Sequence, residues 1–280
     1  MPPRERLDRL LVSRSLVPSR EQAQRLIYAG DVRVDGAVGR APAQLVSPTA
    51  DLHIRRPPPF VSRGGDKLAH ALEVFTVDVA GSVCLDVGAS TGGFTDVLLQ
   101  RSAVRVYAVD VGRAQLAWKL RQDQRVVVME GVNARYLKPL PEPVDLITVD
   151  VAFISLAKVL PAVLQSLQPH GLLLALIKPQ FEAGPDRIGR GGVVRDPEVH
   201  RMVLNDVLAT LPRLNLTPVG LTPSPLRGPA GNVEFFVLAQ GETPAEPRPD
   251  LEAADAIARA LAAAEHVPAR KRGSARSRNR

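Results

Sequence analysis

Four ionisable residues could form one reactive site in the part of the chain that follows residue 60. They are Lys67 in SRGGDKL, Asp150 in LITVD, Lys178 in LLALIKPQ and Glu234 in GNVEFF. Two of the chain's six lysines belong to this set, although arginine is the far more frequent basic residue. A lysine amine can lose its proton, whereas an arginine guanidinium stays charged in proteins. Two lysines facing two carboxylates could remove a proton from a weak nucleophile or hold the negative charge that develops on it.

A glycine-rich stretch over residues 85–99, LDVGASTGGFTDVLL, could bind a ligand through its backbone. The pattern is typical of a strand, a tight turn and a helix, which bring a ligand to the carboxyl edge of a sheet. Asp110 ends the next strand, where a carboxylate can accept both ribose hydroxyls of a nucleoside. A nicotinamide dinucleotide site is the main competitor, but it requires G-x-G-x-x-G, and the spacing here is different.

Strands and helices alternate from Phe60 onward and would position these residues. Strands are predicted at residues 82–87, 104–110, 126–130, 144–150 and 171–178, and helices near 92–101, 113–122, 155–167 and 196–211. Such alternation indicates a Rossmann-like α/β domain whose mainly parallel sheet is covered on both faces. No helix separates 216–222 from 232–240, which predicts a terminal hairpin with an antiparallel edge strand. A further helix is expected within 250–265, followed by a disordered end.

Residues 3–47 form a separate small α+β pattern. Leucines at 7, 10, 11 and 16 predict one helix, Ser19 begins a second, and valines at 32, 34 and 38 around Gly36 predict a short hairpin. Five arginines on the helices lie beside the apolar stripe, where they could contact RNA or simply face solvent. They are Arg6, Arg9, Arg14, Arg20 and Arg25.

The bulk composition limits the classes of protein that fit. The formal charge of +7 and the pI near 10.0 favour a polyanionic partner, because neutralising phosphates releases counterions. A single cysteine cannot form an internal disulfide, and the five histidines are scattered, so no structural metal is expected. No apolar run reaches membrane-spanning length and the N-terminus has no secretory pattern, which predicts a cytoplasmic protein.

The motifs resemble two known families. The run RLDRLLVSRSLVPSREQAQRLIYAGDVRVDG is similar to the S-four RNA-binding domain, which implies a surface that holds structured RNA. DVGASTGGF looks like the first motif of class I methyltransferases, and Asp110 like the second. SRGGDKL, LIKPQFE and GNVEFF complete a set that resembles the FtsJ-like ribose 2′-O-methyltransferases, and the TlyA family of rRNA cytidine methyltransferases in particular, which also bears a hemolysin label.

This resemblance implies S-adenosylmethionine as cofactor, ribosomal RNA or ribosomal subunits as substrate, and a catalytic set of Lys67, Asp150, Lys178 and Glu234. Lys178 would contact the 2′-oxygen, either as a neutral base or as a cation that stabilises charge, and the sequence leaves both roles open. The implied cofactor contacts are Asp86, Gly88, Ser90, Gly92, Gly93, Phe94, Asp110, Glu130, Asn133 and Asp150.

The predicted organisation is an RNA-binding domain at 1–54, a stiff basic linker at 55–60, a methyltransferase domain at 61–241 and a basic tail at 242–280. Two alternatives belong to other classes. A pore-forming or hemolytic protein would need an amphipathic or membrane-spanning segment, and none is evident. A non-catalytic RNA-binding assembly factor should have lost the glycine-rich turn or a lysine, and all are present.

Overall fold

The computed structural model describes residues 3–55, 59–241 and 252–269. The chain divides into two compact units, Met1–Pro59 and Phe60–Arg280. The linker residues 56–58, the segment 242–251 and the basic end at 270–280 lie outside the described residues, and so do the predictions made for them.

The N-terminal unit packs two helices against short strands. Its elements are β1 Glu5–Arg6, α1 Leu7–Ser13, α2 Arg20–Tyr28, β2 Val32–Val34, β3 Ala37–Val38, β4 Leu45–Val46 and β5 Leu52–Ile54. The Ser19 hydroxyl accepts a hydrogen bond from the Gln22 amide and caps α2, as the sequence predicts. Strands β2 and β3 form the predicted hairpin around Gly36, whose φ is +81°. Leu7, Leu11 and Ala23 are fully buried in the core between these elements.

The second unit is a seven-stranded sheet with helices on both faces. Its elements are α3 Arg63–Val74, β6 Val83–Val87, α4 Gly93–Gln100, β7 Arg105–Asp110, α5 Trp118–Arg121, β8 Val126–Glu130, β9 Val144–Val149, α6 Leu156–Val163, β10 Leu167–Ile177, α7 Pro179–Glu182, α8 Pro197–Thr210, β11 Leu216–Pro223, β12 Phe235–Gly241 and α9 Ala253–Glu265. The strand order is β11-β12-β10-β9-β6-β7-β8. One core packs α3 and α4 against the sheet, and the other packs α6, α8 and α9.

The last two strands form the predicted terminal hairpin. β12 is antiparallel to both of its neighbours and lies between β10 and the edge strand β11. The edge strand β11 therefore runs in the same direction as β10. The central position of β12 suits its side chains, because Phe235, Phe236 and Val237 are fully buried between the two helical layers.

Two predicted helices are shorter than expected. The predicted helix at 113–122 is only Trp118–Arg121, because Ala114 has a φ of +55° and the Glu130 carboxylate accepts the backbone amides of residues 114–116. The predicted helix at 155–167 is α-helical only to Val163 and continues as a 3₁₀ turn to Ser166. Within the described ranges, none of the helices has the length and apolar character needed to cross a membrane.

Candidate active site

Two cavities meet at the carboxyl edge of the sheet, where β6, β7, β9 and β10 end. The first cavity, of about 460 Å³, lies beside the end of β7, and the second, of about 440 Å³, lies beside the start of α3. Gly88, Ser90 and Asp150 line both. The parallel strands thus bring together residues that are far apart in the chain, as the sequence predicts.

The first glycine of the glycine-rich turn lets the turn approach the backbone that follows β9 closely. Gly88 has a φ of +86°, and a Cβ atom there would overlap the Asp150 carbonyl oxygen. Gly92, with a φ of +95°, begins α4 in the left-handed conformation, and a Cβ there would overlap Leu120. Gly93 and Phe94 line the second cavity. The turn therefore depends on glycine for both its shape and its close packing.

Asp110 and Asn133 lie on the first cavity and are fixed by backbone contacts. The Asp110 carboxylate accepts the amide of Ser90 at 2.7 Å and the amide of Gly112 at 2.6 Å. The Asn133 side-chain oxygen accepts the amide of Arg135 at 3.0 Å. Each Asp110 oxygen keeps a free lone pair, so this carboxylate can still accept hydrogen bonds from two ribose hydroxyls.

Glu130 supports the cavity without lining it. Its carboxylate forms an ion pair with Arg121 and accepts three amides from residues 114–116. The Arg121 guanidinium and these amides lower the pKa of Glu130 to about 2. Both Glu130 oxygens hold the loop that follows β7, and the contact of Glu130 with an adenine edge stays a prediction.

Asp86 is likewise placed behind the site. It is fully buried and accepts hydrogen bonds from Thr95 at 2.6 Å and Thr148 at 3.2 Å. Burial raises the pKa of Asp86 to about 7, against the opposing effect of the two threonine hydroxyls, and the nearby Asp150 charge raises it further. Asp86 lines neither cavity. Its hydrogen bonds with Thr95 and Thr148 instead join β6 to α4 and β9.

The four predicted reactive residues form two ion pairs. Lys178 Nζ lies 2.5 Å from Asp150 Oδ1, and Lys67 Nζ lies 2.5 Å from Glu234 Oε2. The first pair is partly open to solvent, while in the second the side chains of Lys67 and Glu234 are only 11% and 1% exposed. Lys178 lines the first cavity, Lys67 the second, and Asp150 both. The two lysines are covered to a similar extent, with Lys178 13% exposed, and the pairs differ in the carboxylate, which is 21% exposed in Asp150.

Three residues at these cavities were missed by the sequence reasoning. Phe153 is 91% exposed with a φ of +63°, and its ring centroid lies 5.1 Å from that of Phe181. Arg63 and Arg227 both line the second cavity. An aromatic residue three positions after a strand end, in VDVAFISL, is a signal that could have pointed to Phe153.

The five N-terminal arginines are not equivalent. Arg6 and Arg20 both form ion pairs with Asp8, each at 3.0 Å, and Asp8 is fully buried. Arg14 donates to the carbonyls of Pro48 and Ala50. Arg9 and Arg25 form no ion pair or side-chain hydrogen bond with any other residue that the structure describes. Arg14 therefore has a structural role that its sequence position does not reveal.

Comparison with known proteins places the geometry in a family. The FtsJ-like methyltransferase family model matches residues 60–241, and the S4 domain model matches residues 5–52. The chain is 48% identical over 244 residues to the 16S/23S rRNA (cytidine-2′-O)-methyltransferase TlyA of Mycobacterium tuberculosis, across 86% of this chain and 91% of that protein. It is 39% identical over 234 residues to hemolysin A of Brachyspira hyodysenteriae, across 82% of this chain and 98% of that protein. A solved structure from Streptococcus thermophilus with a provisional hemolysin label has a TM-score of 0.70 at 40% identity, across 94% of this chain and 98% of that one.

Proposed function

This chain belongs to the FtsJ-like methyltransferase family, in the group of the TlyA rRNA methyltransferases, and we propose that it methylates the 2′-oxygen of cytidine ribose in ribosomal RNA of both subunits. The observation that carries the proposal is the ion pair between Lys178 and Asp150 at the meeting point of two cavities. One cavity offers a nucleoside site, and the other can admit an acceptor. The pair lies where a methyl donor and a ribose hydroxyl would meet.

The adenosine part of S-adenosylmethionine would occupy the first cavity, with its amino-acid tail towards the second, and the bound cofactor supplies a methyl group that its positively charged sulfur activates. Asp110 would accept the ribose hydroxyls, Asn133 would lie near the base, and the backbone at Gly88 and Ser90 would lie against the cofactor. The Asp110 carboxylate favours a cationic ligand.

Lys178 would act on the acceptor hydroxyl. Its ion pair with Asp150 supports the role of a cation that donates a hydrogen bond to the 2′-oxygen and stabilises the negative charge developing there. The hydroxyl proton would leave to water as the oxygen–methyl bond forms and the methyl–sulfur bond of the donor breaks. Asp150 would orient the Lys178 ammonium group. Positioning of the methyl donor and the hydroxyl would provide most of the rate enhancement.

Lys67 and Glu234 would support the same site from the buried side. Their pair joins α3 to the residue immediately before β12, and Lys67 faces the second cavity. A buried pair whose partners come from distant elements fixes α3 against the loop that carries Glu234. We propose that it positions the acceptor ribose, while Lys178 contacts the reacting oxygen.

The N-terminal residues 1–54 would bind ribosomal RNA, and residues 61–241 would carry out methyl transfer. Arg9 and Arg25 are the predicted contacts that remain free to bind phosphate, whereas Arg6 and Arg20 would present guanidinium groups that Asp8 has already oriented. The exposed ring of Phe153 could stack on an unpaired base beside the target ribose. Because the substrate is ribosomal, we propose that the protein acts in the cytoplasm.

The experiment that tests this function measures tritium transfer from labelled S-adenosylmethionine to purified ribosomal subunits under single-turnover conditions. We expect Lys178→Ala to lower the rate by about a hundredfold or more in a protein that still folds and binds the cofactor. Lys158→Ala, an exposed lysine on α6, is the matched control and should have the wild-type rate.

Lys178→Arg distinguishes the two roles of the lysine. Arginine keeps the positive charge but cannot act as a base near neutral pH, so charge stabilisation predicts partial activity and proton abstraction predicts none. A wild-type rate in the Lys178→Ala variant would show that Lys178 takes no part in methyl transfer.

A further inference from the structure

Arg227 is a cationic group in the second cavity that the proposed chemistry does not use. It lies in the loop between β11 and β12 and lines the cavity together with Arg63 and Lys67. Lys67 is already neutralised by Glu234. Among the residues that the structure describes, no carboxylate lies within 4 Å of the Arg227 or Arg63 guanidinium. The cavity therefore holds two arginine charges without acidic partners.

The Arg227 side chain is held in place by neutral acceptors. Its Nε donates to the Val267 carbonyl at 3.2 Å, and its Nη1 donates to the Gly231 carbonyl at 3.5 Å. Val267 follows α9, which packs on β11 and α8, so the end of the described chain reaches back to this loop. Carbonyl oxygens orient a guanidinium without cancelling its charge, and the remaining N–H groups stay available for an anion.

The loop that carries Arg227 is built tightly against the reactive site. The Ser224 amide donates to the Glu234 carbonyl at 2.8 Å, and the Gly228 amide donates to the Asn232 carbonyl at 2.9 Å. A Cβ atom at Gly228 would overlap the Glu234 carboxylate. Arg227 thus lies in the same tightly packed loop as Glu234. This packing restricts the positions that the Arg227 guanidinium can take.

Two anionic groups could bind the Arg227 guanidinium, namely the carboxylate of the cofactor and a phosphate of the RNA, and the geometry favours the phosphate. The amino-acid tail of the cofactor carries a single carboxylate, and the second cavity already offers it the first turn of α3, where Ser62 makes no capping hydrogen bond with its side chain. Arg227 approaches the cavity from the β11–β12 loop, a separate element. An acceptor strand entering the same cavity must place phosphates on both sides of its ribose.

We infer that Arg227 binds a backbone phosphate of the acceptor RNA next to the ribose that is methylated. This inference rests on the proposed function. A guanidinium binds a phosphate through two parallel hydrogen bonds, which fixes both the distance and the angle of the strand. Arg227 would thereby place the 2′-hydroxyl opposite Lys178, and its effect would be on binding and positioning of RNA and not on the methyl donor.

The test compares Arg227→Ala, Arg227→Lys and the control Arg213→Ala, an exposed arginine before β11. Hydrogen bonds to charged groups contribute about 1.5–3 kcal/mol, so kcat/KM for ribosomal subunits should fall about ten- to a hundredfold in Arg227→Ala. The slope of log kcat/KM against log salt concentration should become shallower by about one. Arg227→Lys should recover part of the activity, and cofactor affinity measured by calorimetry should be unchanged.

Two outcomes overturn the inference. A weaker cofactor affinity with an unchanged KM for subunits would assign Arg227 to the cofactor carboxylate. Rates and salt slopes equal to those of Arg213→Ala would show that Arg227 has no part in RNA binding. If Arg227→Ala does not fold, Arg227→Lys and Arg227→Gln provide the same comparison. Wild-type protein that methylates no ribosomal substrate would instead contradict the proposed function.

Discussion

Glu234→Gln should destabilise the protein far more than a change of one surface charge. The Lys67 and Glu234 side chains are 11% and 1% exposed, and their Nζ and Oε2 atoms lie 2.5 Å apart. Removing the carboxylate charge leaves the ammonium group of Lys67 buried with no counter-charge. Breaking a buried pair in this way costs about 3–5 kcal/mol. For a unit of this size, each kcal/mol lowers the melting temperature by about 2–4 °C, so we expect a fall of roughly 6–20 °C.

The assay is thermal unfolding followed by far-ultraviolet circular dichroism, with Glu198→Gln as the matched control. Glu198 pairs with Arg201 at 3.3 Å, but the two side chains are 73% and 45% exposed. An exposed pair contributes about 0–1 kcal/mol, so this control should melt within about 4 °C of the wild type. The double variant Lys67→Met with Glu234→Leu should recover much of the stability and remain inactive. Equal melting temperatures for Glu234→Gln and Glu198→Gln would refute the reasoning.

Three further predictions concern cofactor, base and pH. Asp110→Ala should weaken S-adenosylmethionine binding by about tenfold or more in a folded protein, while the exposed Asp255→Ala should not; calorimetry measures both, and unchanged affinity would exclude Asp110 as the ribose ligand. Phe153→Ala should lower kcat/KM for ribosomal subunits by about five- to a hundredfold with Phe153→Tyr near wild type, because stacking on a base contributes about 1–3 kcal/mol; equal rates would contradict the stacking role. Burial raises the pKa of Asp86 to about 7 in the folded protein, so the unfolded chain loses its proton first, and stability should fall as pH rises from about 4 to about 7. Asp86→Asn should remove this part of the pH dependence of urea unfolding, and an identical pH profile would show that Asp86 does not titrate in that range.

Periodicity and turn residues predicted most of the fold. The strand Val126–Glu130 has the predicted bounds. The strands β6, β7 and β9 each differ from their predicted bounds by one residue at one end, and β10 begins four residues earlier and ends one residue earlier than predicted. Helix α5 was predicted too long because the apolar pattern of residues 113–122 cannot reveal that a distant carboxylate, Glu130, binds the backbone amides of that segment. The hairpin pattern predicted that the last two strands pair with each other, but it contains no information on which of them lies at the edge of the sheet.

The candidate site was predictable where residues follow strand ends. Asp110, Asp150 and Lys178 lie where the strand pattern puts them, because parallel strands share one carboxyl edge. The direction in which a side chain points was harder to predict from the sequence. Asp86 and Glu130 stand at positions that match the family motifs. The Asp86 carboxylate nevertheless accepts a hydrogen bond from a threonine hydroxyl, and the Glu130 carboxylate accepts one from a backbone amide. Arg227 was missed because it lies in a loop rich in proline and glycine. A loop has no helical or strand periodicity from which the position of a side chain could be predicted.

Hemolysin labels are carried by a curated relative and a solved structure, and residues 3–55, 59–241 and 252–269 contain no helix long and apolar enough to cross a membrane. The two lysine–carboxylate pairs lie at the two cavities, and the proposed methyl transfer uses both pairs.

The measurement that tests the central claim most directly is the chemical identity of the product. Purified ribosomal subunits that lack the modification are incubated with the protein and S-adenosylmethionine, and the RNA is then digested to nucleosides and analysed by mass spectrometry. The account predicts that 2′-O-methylcytidine appears with the wild type, is almost absent with Lys178→Ala, and forms at the wild-type level with Lys158→Ala. A methyl group on a base, a methylated ribose on another nucleoside, or no product from either subunit would contradict it.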